Sequence, residues 1–343
     1  MNYAVITKAK AMYGKRLKDS DINMLCDCRS VEDCAAFLRS HPAYTKAFEG
    51  TELRGIRLSR IEMLLKREYC LEFERLIKGM SEKERKLTQM FIGTYELDLI
   101  MWALRNTGLD AEQKAPLPPL YVPLIRKYSK TDFDLLINSR TRQQVAQALN
   151  GHYRNIVEKS VSDDGETDYF TTENELWKAF YASLSEYIEK NFKKDDAASM
   201  FGTCVDLYNI MRIFRLKEYF GFLADQISPF IIRPLYKLND DTVSKLCTSS
   251  GIREFVSILK KTHYKQLCNI KNGEQLESLC NEIMVKKASK LLHFSTSAPA
   301  VIYAYLIYKS HEIDKIKTVI ESVRYNLSRE MIESYVGTKA KTN

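Results

Sequence analysis

Three histidines recur at matching places along the chain, and histidine is the side chain best suited to acid–base chemistry near neutral pH. His41, His152 and His263 each lie beside a tyrosine or close before one, just after a short helix-forming segment. They could converge as a functional triad near a pseudo-threefold axis. Alternatively, each is a turn residue that hydrogen-bonds backbone carbonyls beside a packed tyrosine. We favour the structural interpretation, because an active site would normally be lost from two of three copies.

Carboxylates recur in the same way, and paired carboxylates can act as general acids and bases. Glu96, Asp206 and Glu312 each follow an apolar residue by five positions. Asp98 and Asp314 lie two positions after the first and the third of them. An unpaired carboxylate is costly to bury, so each buried one needs a partner. We expect these groups to face neighbouring helices, although some could face a central opening and meet a partner protein.

Arginine lies nine positions after two of these carboxylates, at Arg105 and Arg215, and Glu321 stands at the third position. We expect the carboxylates to cap helix termini or to pair with cations such as these two arginines. The candidate interface or repeat-equivalent structural residues are Glu96, Arg105, Asp206, Arg215, Glu312, His41, His152 and His263.

Motifs for other chemistry are missing from the sequence. It contains no dinucleotide-binding glycine pattern, no Walker phosphate loop and no nucleophile elbow, and Gly202-Thr203 lacks the rest of a phosphate loop. Cys26, Cys28, Cys34 and His41 have no spacing typical of a zinc site. We interpret the eight cysteines as reduced thiols. The sequence therefore predicts no catalytic residue, no cofactor and no metal.

The helices that must position the histidines and carboxylates are predicted three times along the chain. One sequence pattern recurs in three segments, Leu25–Leu38, Leu136–Leu149 and Leu246–Leu259. The first leucine of the pattern recurs after 111 and then 110 residues. Each copy reads as a helix end, a polar break and a second short helix, with Ser30 and Thr141 as predicted N-caps.

Apolar residues around the recurring carboxylates follow helical spacing. Further helices are predicted at Tyr69–Lys78, Met80–Met90, Glu173–Phe192 and Leu276–Leu292. Proline-containing connectors at 116–123 and 228–234 separate the copies. We predict an all-α protein of three similar helical units, 1–115, 116–227 and 228–343. Spacing alone leaves open whether these units surround a pseudo-threefold axis or stack as a short solenoid.

Composition narrows the class of protein. The chain has 343 residues, only 13 glycines and 8 prolines, and a net charge of +8 that is spread along its length. Nucleic-acid binders more often concentrate Lys and Arg beside exposed aromatic residues. The longest apolar run, Ala298–Tyr308, is shorter than the roughly 20 residues of a membrane-spanning helix. Three lysines and one arginine interrupt residues 1–17, whereas a secretory signal has an uninterrupted apolar stretch. We therefore expect a cytoplasmic protein.

On these features the chain resembles the C subunit of bacterial and archaeal A/V-type rotary ATPases, which corresponds to the d subunit of the eukaryotic vacuolar enzyme. The order, spacing and recurrence of the motifs carry the resemblance, which covers almost the whole chain. The matching segments are Tyr3–Leu17, Ser30–Tyr44, Glu96–Arg105, Asp206–Arg215 and Tyr303–Ile316.

The sequence departs from the family pattern at two places. Leu99-Ile100 stands where an Asn-Leu pair is usual, and Glu321 stands where arginine is common.

The resemblance implies a non-catalytic rotor component built as a funnel of three similar helical domains. It implies contact with the proteins of the membrane rotor ring and with the D and F subunits of the central shaft. Torque would pass between the ATP-hydrolysing head and the ion-translocating ring during proton or other ion transport. The chain would be cytoplasmic and peripheral to the membrane, without a nucleic-acid partner or a small-molecule substrate.

Two other functions fit a triplicated helical protein. A helical-repeat scaffold for unrelated proteins or RNA would show clustered surface Lys and Arg. An enzyme would use the recurrent histidines or carboxylates, and loss of His152 would then abolish its function without an assembly defect.

Overall fold

Every regular element that the structure describes is helical, as the sequence predicts. The computed structural model describes residues 3–110, 112–113, 122–160 and 168–337. Most of the predicted connector 116–123 lies outside these residues, and so does the basic tail after residue 337. The arrangement of three units around a pseudo-threefold axis, with boundaries at 115 and 227, stays a prediction.

The α-helices are numbered in chain order. They are α1 (Tyr3–Gly14), α2 (Asp19–Cys26), α3 (Val31–Ser40), α4 (Leu58–Ile77), α5 (Glu82–Met90), α6 (Gly93–Arg105), α7 (Val122–Tyr128), α8 (Phe133–Asn138), α9 (Arg142–Ala148), α10 (Gly151–Glu158), α11 (Tyr169–Phe192), α12 (Asp196–Glu218), α13 (Ala224–Ile227), α14 (Asp240–Thr248), α15 (Ile252–Lys260), α16 (Gly273–Phe294), α17 (Ala298–Arg324) and α18 (Arg329–Val336). Single 3-10 turns span Thr45–Phe48, Ser228–Phe230 and Lys265–Leu267.

The first compact unit joins the two ends of the chain, because it contains residues 1–85, 119–123 and 288–343. Helix α17 lies at its centre and packs against α1, α2, α3, α4 and α18. The apolar run Ala298–Tyr308 forms the first part of α17, and most of its side chains are buried in this core. Its apolar surface is therefore removed from water by packing within the unit.

The second compact unit contains residues 86–118 and 124–287. Helix α6 packs against α8, α9 and α11, and α12 packs against α11 and α14. One continuous core joins α12, α14, α15 and the first part of α16, with Phe214, Phe255 and Tyr264 among its buried rings. In both units the last long helix of one sequence copy packs against the first short helices of another copy.

The predicted N-caps are confirmed. Ser30 Oγ accepts a hydrogen bond from the backbone N–H of Asp33 at 3.0 Å, and Thr141 Oγ1 accepts one from Gln144 at 3.3 Å. Helix α4 begins at Leu58 rather than at the predicted Tyr69, because Ile61, Leu64 and Leu65 extend the same buried face.

The eight cysteines are free thiols, and five of them are buried. Among the described residues, no helix has the length and apolar character needed to cross a bilayer.

Candidate functional site: three carboxylate junctions

The three recurring carboxylates make the same kind of contact. Each projects from the long helix of one copy and accepts hydrogen bonds from the chain just before the first short helix of another copy. We call these contacts the Glu96, Asp206 and Glu312 junctions. The Glu312 junction joins the last copy to the start of the chain.

Asp206 is fully buried in α12 and has four hydrogen-bond donors. The backbone N–H groups of Tyr236, Lys237 and Leu238 donate at 3.0, 2.6 and 3.0 Å. The hydroxyl of Tyr264 donates at 2.7 Å. The carboxylate thus fixes the segment that leads into α14, and charge-assisted hydrogen bonds offset the cost of its burial.

Glu312 in α17 is 4% exposed and receives donors from the first copy. The backbone N–H of Leu17 donates at 2.8 Å, and the Tyr44 hydroxyl donates to the other oxygen. Lys309, also buried, forms an ion pair with Glu312 at 3.1 Å and lies 3.9 Å from the centre of the Tyr44 ring. A cation–π contact therefore adds to the ion pair.

The Glu96 junction uses side-chain hydroxyls instead of backbone groups. Ser129 Oγ donates to Glu96 at 2.6 Å, and the Thr131 hydroxyl donates to the same oxygen. Burial, with a further contribution from Glu96, raises the pKa of the Tyr153 phenol. Because Glu96 is only half-buried, this junction is the most accessible of the three to water.

The tyrosines that accompany two of the recurring histidines belong to these junctions, and sequence reasoning missed them. Tyr44 and Tyr264 are completely buried. Burial raises the pKa of each phenol, and the neighbouring Glu312 or Asp206 raises it further. Both phenols therefore stay protonated and act as donors. Their recurrence beside the histidines is visible in the sequence, but their hydrogen bonds to Glu312 and Asp206, 268 and 58 residues away, are not.

The histidines lie at three different kinds of position. His41 follows the last residue of α3 as its C-cap, and there its Nδ1 accepts a hydrogen bond from the Ala43 N–H at 3.3 Å and its Nε2 lies 3.7 Å from Asp21. The predicted hydrogen bond to a backbone carbonyl is therefore wrong for Nδ1 of His41, which accepts from a backbone N–H instead. His263 is exposed and meets the Tyr264 ring edge-on at 5.4 Å. His152 is exposed in the first turn of α10.

The carboxylates were expected to cap helix termini or to pair with cations such as Arg105 and Arg215. Glu312 does pair with a cation, Lys309, and Asp206 accepts from backbone N–H groups just before α14, but neither arginine pairs with a junction carboxylate.

Arg105 pairs instead with Glu173 at 2.9 Å, and Arg215 pairs with Glu277 at 2.6 Å. The physical reason is that the donors of the next copy already occupy the junction carboxylates. These arginine pairs are half-exposed, and each stabilises the fold by only about 0–1 kcal/mol.

The third copy replaces this arginine pair by a lysine pair. Glu62 is the fifth residue of α4, as Glu173 is of α11, and Lys317 contacts it at 2.8 Å. Lys317 lies one helical turn before Glu321, the position where arginine stands in the other copies. Burial favours a higher pKa for Glu62, but hydrogen bonds from Lys317 and Lys66 outweigh it, and the pKa is lowered. Lys317 thus supplies the cation for Glu62 that an arginine at position 321 would supply in the family pattern.

Asn209 fixes the connector that follows α12. This buried side chain accepts from the Ile232 N–H at 2.9 Å and donates to the Ile232 carbonyl at 2.8 Å. The corresponding residue of the first copy is Leu99, one of the departures from the family pattern. The sequence difference therefore changes how the long helix can hold the connector after it.

Gly202 allows the Asp206 junction to form, because a Cβ there would lie 2.5 Å from Cγ of Tyr236. We expect Gly202→Ala to lower the free energy of unfolding by about 1–3 kcal/mol through overpacking. Urea unfolding followed by circular dichroism measures this loss. Gly14→Ala is the control, since its Cβ would meet no atom within 4 Å. Equal effects of the two substitutions would contradict this role of Gly202.

Glu72 lies near the Glu312 junction and accepts a hydrogen bond from Tyr305 at 2.7 Å. Burial raises its pKa, although Lys309 and Tyr305 act in the opposite direction. A folded-state pKa above the unfolded value means that stability falls as the pH rises between the two values. We therefore expect Glu72→Gln to stabilise the protein at pH 7.

The gain from Glu72→Gln should vanish near pH ~4, where much of the wild-type carboxyl is protonated in both states. Thermal unfolding across the range from about pH 4 to about pH 8 tests this. A variant that is less stable than wild type at neutral pH would show that Glu72 is not destabilising as a carboxylate.

The junctions are suited to holding helices together and not to proton transfer, since hydrogen-bond donors already engage each carboxylate. In the part of the chain that the structure describes, no three His, Cys, Asp or Glu side chains are grouped as metal ligands.

Sequence comparison finds related proteins along almost the whole chain. The family model described as ATP synthase (C/AC39) subunit matches residues 5–335. The A-type ATP synthase C subunit of Methanosarcina mazei is 25% identical over 342 residues, covering 97% of this chain and 92% of the relative. The corresponding C subunit of Pyrococcus abyssi is 22% identical over 346 residues, covering 97% and 89%. The chain therefore belongs to the ATP synthase (C/AC39) subunit family.

Proposed function

We propose that this chain is a non-catalytic rotor component that couples the central shaft of the ATP-hydrolysing head to the ion-translocating ring in the membrane. Its partners are the ring proteins and the D and F subunits of the shaft, and it is a cytoplasmic protein held at the membrane through the ring. Family membership supports the assignment, and relatives matched over nearly their full length are named as C subunits of A-type ATP synthases.

The junctions are the observation that carries the mechanical part of this proposal. A torque-bearing part must resist relative motion of its helices. Each junction places a multiply hydrogen-bonded carboxylate between copies, and the Glu312 junction ties the last copy to the first. Buried networks whose members are all satisfied make a structure rigid. Within each compact unit, packed helices can thus transmit a twisting force.

Affinity isolation from host membranes tests the assignment. A tagged chain should recover ring and shaft proteins together in mild detergent and low salt. A tagged unrelated helical protein of similar charge is the control for adventitious binding. Recovery of neither set of proteins, or of RNA in their place, would contradict the rotor role.

A further inference from the structure

A groove recurs in two copies, beside α4 in the first copy and beside the equivalent helix α11 in the second. The first is a cavity of about 290 Å³ between α4 and the 3-10 turn Thr45–Phe48. The second is a cavity of about 470 Å³ between α10 and α11. Glu62 and Glu173 are each the fifth residue of their helix, and this equivalence aligns the sequences of α4 and α11. In this alignment Arg60 corresponds to Thr171. The recurrence of the groove itself follows from the fold.

The charged side chains that line the groove differ between the two copies, so the shared fold does not explain them. Lys46, Arg60 and Arg67 line the first groove, and no carboxylate among the described residues forms an ion pair with any of them. The Arg60 guanidinium donates to the sulfur of Met63, at 3.9 Å.

The second groove is lined by Glu175, which already pairs with Lys178 at 2.9 Å. Lys178 of the second copy occupies the position of Arg67 in the first copy. Glu175 neutralises Lys178, whereas in the described part of the chain no carboxylate forms an ion pair with Arg67.

The exposed face of α4 mixes cations with apolar groups. Arg60, Met63, Arg67 and Leu71 lie along one side of the helix, at spacings of three and four residues. Met63 is 38% exposed and Leu71 is 43% exposed. At about 1.5 Å per residue this stripe is about 16 Å long, the length of roughly three helical turns. The equivalent positions of α11 carry Thr171, Asn174, Lys178 and Ala182, and those of α16 carry Gln275, Ser278, Glu282 and Lys286.

This combination favours a peptide over a compact anion or a nucleic acid. Glu49 also lines the groove and would repel a densely charged phosphate group, whereas Glu68 there already pairs with Arg75. A peptide can place single carboxylates opposite the two guanidinium groups, which bind carboxylates in a bidentate manner, and place apolar side chains opposite Met63 and Leu71.

We propose that the stripe Arg60–Leu71 and its groove bind an acidic amphipathic helical segment of another protein. The inference uses only the charges and shape of this groove, and it does not rest on the rotor role.

A titration of the isolated full chain tests the proposal. The probe is a fluorescent helical peptide of about 12 residues, enough to cover the stripe, with glutamate and leucine on one face. Its control has glutamine in place of glutamate. We expect saturable binding that weakens with salt, because exposed charge pairs are screened. Arg60→Glu/Arg67→Glu should raise the Kd by about tenfold or more, a loss of at least about 1.4 kcal/mol.

The matched control variant is Lys159→Glu/Lys178→Glu, which makes the same change of charge at the second groove. It should leave the Kd within about twofold, a difference well below about 1.4 kcal/mol. Equal weakening by both variants, or equal binding of the glutamine peptide, would overturn the proposal. So would variant-sensitive binding of phosphatidylglycerol vesicles or inorganic phosphate with no binding of the acidic peptide.

Discussion

Asp206→Ala should lower the free energy of unfolding by about 3–5 kcal/mol. The substitution leaves three backbone N–H groups and the Tyr264 hydroxyl without their acceptor in the interior of the second unit. Each buried donor that loses its partner costs about 1–3 kcal/mol, reduced where water can enter the space left by the side chain. Urea unfolding followed by circular dichroism measures the loss.

Two further variants separate this effect from the loss of an acidic residue in general. Asp206→Asn keeps one acceptor oxygen and should cost less than Asp206→Ala. Asp225→Ala removes an exposed carboxylate from the same unit and should change stability by less than about 0.5 kcal/mol. A loss below about 1 kcal/mol for Asp206→Ala would show that the junction contributes little to stability.

Glu312→Gln should destabilise the first unit by about 3 kcal/mol or more, because it leaves the buried Lys309 ammonium without its ion-pair partner. The hydrogen bonds from Leu17 and Tyr44 can be kept in part by the amide oxygen, so most of the loss comes from the lysine. Lys309→Met in the same chain should therefore recover much of it. Chemical unfolding of the two single variants and the double variant gives the coupling energy.

The coupling between Glu312 and Lys309 is expected to be large and favourable, about 1–3 kcal/mol. Simple additivity of the two single substitutions would contradict a direct ion pair. A charge reversal at the exposed Asp314 in the same helix is the control and should show little coupling with Lys309→Met.

The sequence predicts the helical class, the caps and the recurrence of the carboxylates, because these depend on local spacing. Ser30 and Thr141 cap their helices by contacts three residues away, which a linear pattern can carry. The partners of the carboxylates could not be predicted in this way. Tyr44 and Glu312 are 268 residues apart, and only the packed structure brings them together.

The arginines show the same limit. Arg105 lies nine residues after Glu96 in α6, about 13.5 Å along the axis and on the opposite side of the helix, so the two side chains cannot meet. The position nine residues later instead faces the next long helix, where Glu173 is available. Local helical spacing therefore identified the recurring carboxylates but could not assign partners between elements.

The junctions also explain why the two ends of the chain belong to one unit. Leu17 and Tyr44 contact Glu312, and Arg329 after α17 pairs with Asp27. These contacts hold the last helices of the first unit against its first ones, as the proposed rotor role requires. A scaffold that binds static partners would not need this mechanical property.

Single-molecule rotation tests the central claim most directly. A gold nanorod would be attached through Tyr219→Cys, at an exposed position, in a chain whose partly exposed Cys28, Cys204 and Cys268 are replaced by serine, within the detergent-purified complex fixed by its head. On addition of ATP, the rotor account predicts that this chain turns in steps together with the shaft and the membrane ring. A nanorod that stays still while a shaft-bound nanorod turns would contradict it.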